Sequence, residues 1–194
     1  MTQSRGSVNL AFEMCATDGF RSRSIRFAIG LAAVLMPTAC NTAPTSNAPA
    51  DYSLVWADEF DKDGLPDPKN WVYDTEANRS GWYNNELQYY AVERLENSRI
   101  SAGNLVITAR KEKLESASDY GGQQYSSARL ITRGKASWTY GFFDVRAKLP
   151  CGAGTWPAIW MLGTAGAWPA AGEIDIMEQV GGSVLLLTDP NSSL

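Results

Sequence analysis

The clearest pattern along this chain is strict alternation. In Phe142 to Leu149, Phe143, Val145, Ala147 and Leu149 fall on one face, while Phe142, Asp144, Arg146 and Lys148 fall on the other. A period of two with one polar face predicts a strand of an antiparallel sheet that is covered on one side only. Leu105, Ile107 and Ala109 alternate in the same way with Val106, Thr108 and Arg110. Ser98–Ile100 precedes them, and Ala102-Gly103-Asn104 between the two arms reads as a hairpin turn. Leu54-Val55-Trp56 is a short apolar run ahead of Asp58-Glu59-Phe60, and the Gly- and Pro-bearing stretch 63–68 reads as a loop. Trp156–Leu162 and Glu173–Val180 predict two more strands, separated by the Gly- and Ala-rich stretch 163–172. No 3.6-residue stripe is sustained and no segment repeats. The pattern predicts an all-β fold, a sandwich of antiparallel sheets.

The start of the chain is of another kind. Arg21, Arg23 and Arg26 precede an apolar run from Phe27 to Met36, followed by Pro37-Thr38-Ala39-Cys40. A basic flank, a short apolar stretch and small residues predict an export signal. The run is shorter than the roughly 20 apolar residues that a membrane-spanning helix needs. Cys40 stands where a bacterial lipoprotein would be cleaved and acylated, although Pro37 replaces the larger aliphatic residue usual there. The expected organisation is therefore an extension and signal over 1–39, a Thr-, Ser- and Pro-rich tether over 40–50, and a catalytic domain over 51–194. An exported protein, secreted or held at the bacterial envelope through Cys40, is the matching expectation. Residues 1–20 have no place in such a signal, and a start codon set too far upstream accounts for them.

Charge and composition narrow the chemistry. The net charge is −4, and the first 39 residues hold four arginines against Glu13 and Asp18, so the remainder is more acidic than the whole. An acidic, aromatic-rich domain argues against nucleic acid and suits a neutral polymer. The chain has no histidine, which excludes a Ser-His-Asp triad, a Cys-His dyad and most zinc sites. Cys151 is the single cysteine beyond Cys40, so a mature domain has no internal disulfide.

Gly172-Glu173-Ile174-Asp175-Ile176-Met177-Glu178 sets three carboxylates in an otherwise apolar strand. Glu173 and Asp175 share a face, but Glu178 lies an odd step away. A β-bulge near Ile176-Met177 would return it to the same face. Positions two effective steps apart are spaced at roughly 7 Å along the backbone, and retaining glycosidases need two carboxyl groups about 5–5.5 Å apart. Crowding raises the pKa of at least one acid and keeps a proton available. A solvated acidic face on an edge strand is the plain alternative. Trp156 and Trp160, four apart, would share a strand face and offer rings for sugar stacking, or else pack in the core. The segment Trp82–Tyr90 mixes four aromatics with Asn84, Asn85, Glu86 and Gln88, as a cleft or an ordinary packed loop would.

Together these segments resemble glycoside hydrolase family 16, in particular its laminarinase-type endo-β-1,3-glucanases. The likeness runs from about Ser53 to Gly181 and rests on Trp56-Ala57-Asp58-Glu59-Phe60, Asn84–Tyr90, Tyr140-Gly141-Phe142-Phe143, Trp156–Leu162 with Gly163, and Glu173–Glu178. The resemblance implies a concanavalin A-like β-jelly-roll whose concave face holds the cleft. It implies Glu173 as nucleophile, Asp175 as its assistant and Glu178 as general acid/base. Trp156, Trp160, Asn85 and Arg129 would bind substrate. No catalytic cofactor is implied, and a structural calcium near Glu59 is. The expected partner is a β-glucan acted on by a monomer, without nucleic acid, with membrane attachment through a lipidated Cys40. A glucan-binding module without catalysis and an inactive fragment are the competing readings. After Gly181 the tail ceases to resemble the family, which suggests a frameshift or premature stop and a sandwich incomplete at its C-terminus.

Overall fold

The computed structural model describes the backbone of residues 3–12, 48–181 and 183–185, and side chains from residue 48 to 181. Cys40 and the expected signal at 21–39 lie outside the described residues. The described chain is built from strands, with one short 3₁₀ turn at Tyr83–Asn85. No helix among the described residues is long and apolar enough to cross a membrane.

The largest sheet holds β1 (Gln3–Phe12), β2 (Tyr52–Asp58), β5 (Ser98–Ser101), β6 (Asn104–Ile107) and β9 (Phe142–Lys148). Its hairpin forms where the sequence predicts it. Ala102 and Gly103 both take positive φ, 50° and 73°, which is the two-residue turn that matches strand twist. β5 and β6 then pair antiparallel, with Ile100 opposite Leu105. The core grows from this hairpin: Phe60, Ile100 and Leu105 are buried, and Trp71, Ile107 and Leu130 pack around them. An edge-to-face aromatic row, Trp71–Trp56–Trp138–Phe143, carries this packing across to β9.

β1 was not expected as a strand. It runs parallel to β2 over Gln3–Val8, to β6 over Leu10–Phe12 and to β9 over Arg5–Ala11. Its even positions Gly6, Val8, Leu10 and Phe12 are apolar or small, and its odd positions Gln3, Arg5, Ser7 and Asn9 are polar. The register sets Gly6, Val8 and Leu10 beside Phe143, Val145 and Ala147, and sets Leu10 and Phe12 beside Leu105 and Ile107. The apolar faces of three strands thus coincide, as the pleat requires.

Two small pairings lie apart from that sheet: β3 (Val72–Tyr73) with β8 (Leu130–Ile131), and β4 (Gln88–Tyr90) with β7 (Tyr125–Ser127). They are held by a polar core. Asn78 is fully buried; its amide donates to the Tyr90 carbonyl and to Asp119, while its side-chain oxygen accepts from the Tyr90 N–H and the Trp82 indole. Asn97 is equally buried and donates to the Thr108 carbonyl and to Ser126 Oγ. These amides satisfy strand ends that have no ladder partner.

The third sheet is β10 (Ala158–Leu162), β11 (Glu173–Val180) and β12 (Ser183–Leu185), in that order and antiparallel. The predicted strand over Glu173–Val180 is observed with those bounds. The predicted strand over Trp156–Leu162 begins two residues later, at Ala158. Trp156 therefore stands before the strand, and its side chain does not follow the strand period. The expected all-β class holds.

Candidate active site

The site is made by the β10–β11 pair. Leu162 faces Glu173, Trp160 faces Asp175 and Ala158 faces Glu178. Between the pairs Ile159–Met177 and Trp160–Asp175 the register shifts, so Ile176 has no partner. This is the bulge the spacing of the acids called for. Because Leu162, Trp160 and Ala158 alternate on β10, their partners Glu173, Asp175 and Glu178 share one face. Met177 and Gln179, on the other face, are buried.

One expectation needs correction. Glu173 and Glu178 are four β10 residues apart in register, which is about 13 Å along a strand and not 7 Å. Asp175 sits between them. Two glutamates must lean inward over Asp175 to bring their carboxyl groups within reaction distance of one sugar.

Electrostatics single out Asp175. Its carboxyl is pushed above the ordinary aspartate range, first by burial and then by the charges of Glu173 and Glu178.

Two indoles reach the outer acids. Trp156 Nε1 donates to Glu178 Oε1 at 2.8 Å. Trp168 Nε1 donates to Glu173 Oε2 at 2.5 Å. Trp168 was not singled out from the sequence, because it lies in the 163–172 loop and no strand period applies there. A tryptophan in a segment otherwise of Gly, Ala, Thr and Pro was the available signal.

Trp160 joins the site from β10, on the face of the three acids. Arg129 stands against its ring, with the guanidinium carbon 4.7 Å from the Trp160 centroid and 5.0 Å from that of Trp82. Arg129 Nε lies 3.0 Å from Asp74 Oδ2. Arg129 thus ties the 82–90 segment to the sheet that carries the three acids. Within that segment Trp82 and Tyr89 are buried, as a packed loop has them, while Tyr83 and Leu87 stay exposed. Tyr89 donates to Asp119 at 2.6 Å, and burial together with that bond to a carboxylate pushes its pKa up to about 12. Asn85 is exposed at the end of the 3₁₀ turn, with φ 59°. Glu59 is half-buried beside β2. Among the described residues no three Asp, Glu, Cys or His side chains group as a metal site would. No step of the chemistry is routed through a metal.

Comparison with known proteins agrees with this geometry. A family model described as "XgeA-like, catalytic GH16 domain" matches residues 89–184. The β-glucanase of Rhodothermus marinus is 53% identical over 156 residues, covering 78% of this chain and 52% of its own. Glucan endo-1,3-beta-glucosidase A1 of Niallia circulans is 40% identical over 148 residues, covering 71% of this chain and 21% of its own. Among solved structures, SCLam, a non-specific endo-beta-1,3(4)-glucanase from family GH16, superposes with a TM-score of 0.64 at 59% identity, covering 69% of this chain and 50% of that one. The laminarinase from Rhodothermus marinus superposes at 0.55 with 53% identity, covering 66% and 49%. The chain spans about half the length of the β-glucanase and the two solved enzymes, and less of the Niallia protein. With a bulged acidic strand, flanking tryptophans and these relatives, the chain belongs to glycoside hydrolase family 16.

Proposed function

We propose that the protein hydrolyses internal β-1,3-glucosidic bonds of β-glucans with retention of anomeric configuration. The observation that carries this reading is the bulge at Ile176, which sets Glu173, Asp175 and Glu178 on one face beside Trp160. In the first step a Glu173 oxygen attacks the anomeric carbon, the glycosidic C–O bond breaks, and Glu178 delivers its proton to the leaving oxygen. In the second step Glu178 takes a proton from water, the water oxygen bonds the anomeric carbon, and Glu173 leaves with the C–O electron pair. Asp175, whose pKa is raised by burial and by the charges of Glu173 and Glu178, lies between the two and, when protonated, offers a hydrogen bond to Glu173. Trp156 and Trp160 present ring faces to the sugar chain, and Asn85 and Arg129 are the further candidate contacts.

A β-1,3-glucan is the favoured substrate because the Niallia relative is named a glucan endo-1,3-beta-glucosidase and SCLam an endo-beta-1,3(4)-glucanase. The basic flank and apolar run at 21–36 support export, with Cys40 as the site of lipid attachment. A form cut before Cys40 would lack β1, so the mass of the mature N-terminus decides whether that strand persists.

The test is reducing-end release from a soluble β-1,3-glucan by the full chain, with Glu173→Gln as control. Release that disappears in the control is the expected result. Retained binding with no release from either protein would overturn the hydrolytic reading in favour of a glucan-binding one.

A further inference from the structure

The loop between β10 and β11 is built with little slack. Gly163 N–H donates to the Gly172 carbonyl, Ala171 N–H to Ala167, and Gly172 N–H to Pro169. A Cβ on Gly163 would lie 2.1 Å from the Ala171 carbonyl oxygen, and Gly172 takes a φ of 83°. Glycine is therefore required at Gly163 for the close approach and is favoured at Gly172 for its backbone. The closure folds Trp168 back so that its indole N–H reaches Glu173. At the other end of the acidic strand, Gln179 N–H donates to the Pro157 carbonyl and Gly181 N–H to Thr155. These bonds extend the ladder past Ala158 and fix both chain neighbours of Trp156, whose indole N–H reaches Glu178.

Each outer carboxylate thus has one oxygen held by one indole. Both rings are largely exposed, Trp168 at 68% and Trp156 at 42%, so burial does not account for their placement. We infer that Trp168 and Trp156 are a matched pair of positioning residues: Trp168 fixes Glu173 Oε2 and leaves Oε1 free to attack, and Trp156 fixes Glu178 Oε1 and leaves Oε2 free for proton transfer. This rests on the retaining hydrolase reading and adds to it which oxygen of each acid reacts. An indole can donate but not accept, so it selects an oxygen without competing for the transferred proton.

Two measurements test the pair. The first needs no turnover. Indole N–H resonances of the full chain, assigned with Trp168→Phe and Trp156→Phe, are compared in Glu173→Gln and Glu178→Gln. The Trp168 resonance is expected to move upfield in Glu173→Gln only, and that of Trp156 in Glu178→Gln only. Resonances that ignore these substitutions, or follow both alike, overturn the inference.

The second uses leaving-group dependence, which a general packing defect would not produce. Trp168→Phe keeps a ring and loses the donor. It is expected to lower kcat about three- to tenfold, with little change in KM, on both β-glucan and an aryl β-glucan oligosaccharide with an acidic phenol leaving group. Trp156→Phe is expected to lower kcat/KM, which reports the first step alone, by a similar factor on β-glucan but not on the aryl substrate, whose departure needs no proton. Equal losses from the two variants on both substrates would overturn the inference. A wild-type chain that hydrolyses neither substrate would overturn the function reading, and the resonance experiment would still decide the pairing.

Discussion

The bulge at Ile176 makes a sharp prediction about length. Deleting Ile176 removes the residue that has no partner on β10, so Glu178 remains opposite Ala158 and stays on the face of Glu173 and Asp175. Inserting one alanine between Met177 and Glu178 does the opposite. If the new residue joins the ladder, Glu178 moves to the face that now buries Met177 and Gln179. If it bulges out instead, it must do so beside the existing irregularity. The first outcome turns the buried Gln179 out and buries a carboxylate without a partner, together at least several kcal/mol. Such a sum is comparable to the whole stability of a domain, roughly 5–15 kcal/mol. The Ile176 deletion, at a half-buried residue, should cost well under half as much. Thermal unfolding followed by circular dichroism, with glucan hydrolysis measured alongside, distinguishes them. The deletion should unfold cooperatively and keep measurable hydrolysis, and the insertion should lose both. A deletion as damaging as the insertion would refute the argument that the bulge serves only to set the face.

Three other outcomes are expected. Leu105→Ala opens a cavity at a residue that is 1% exposed; it should cost about 2–5 kcal/mol in denaturant unfolding. Asp175→Asn should raise the melting temperature at pH 7 while lowering turnover. The folded pKa of Asp175 is raised, so its contribution to stability is present below the unfolded aspartate value and is lost as pH rises through the folded one; the gain from the substitution should vanish in acid. Leu10→Asp should lower the melting temperature of the full chain and Asn9→Asp should not, because Leu10 is in register with Leu105 and Ala147 while Asn9 is in register with Arg146. Equal effects would show that β1 does not pair in this register.

The acidic strand could be read from the sequence because its chemistry and its periodicity conflict. Three acids in an apolar strand make sense only on one face, and the odd step between Glu173 and Glu178 then demands an extra residue. The hairpin around Gly103 and the alternating strand of β9 were legible for the same reason: period and turn chemistry are local properties. Distances were not. The separation of Glu173 and Glu178 depends on register against β10, and counting along one strand misjudged it. The part played by Trp168, the stacking of Arg129 on Trp160 and the strand β1 were decided by tertiary structure alone. Trp168 reaches Glu173 because a loop closes at Gly163, Arg129 meets Trp160 because two small sheets approach, and Gln3–Phe12 becomes a strand because three apolar faces align across more than a hundred residues of chain. The sequence determined the identity and order of the reactive groups, since these follow from side-chain chemistry and short-range repeat. Which groups hold them in place was decided by long-range pairing, since a hydrogen bond between distant segments leaves no period to read.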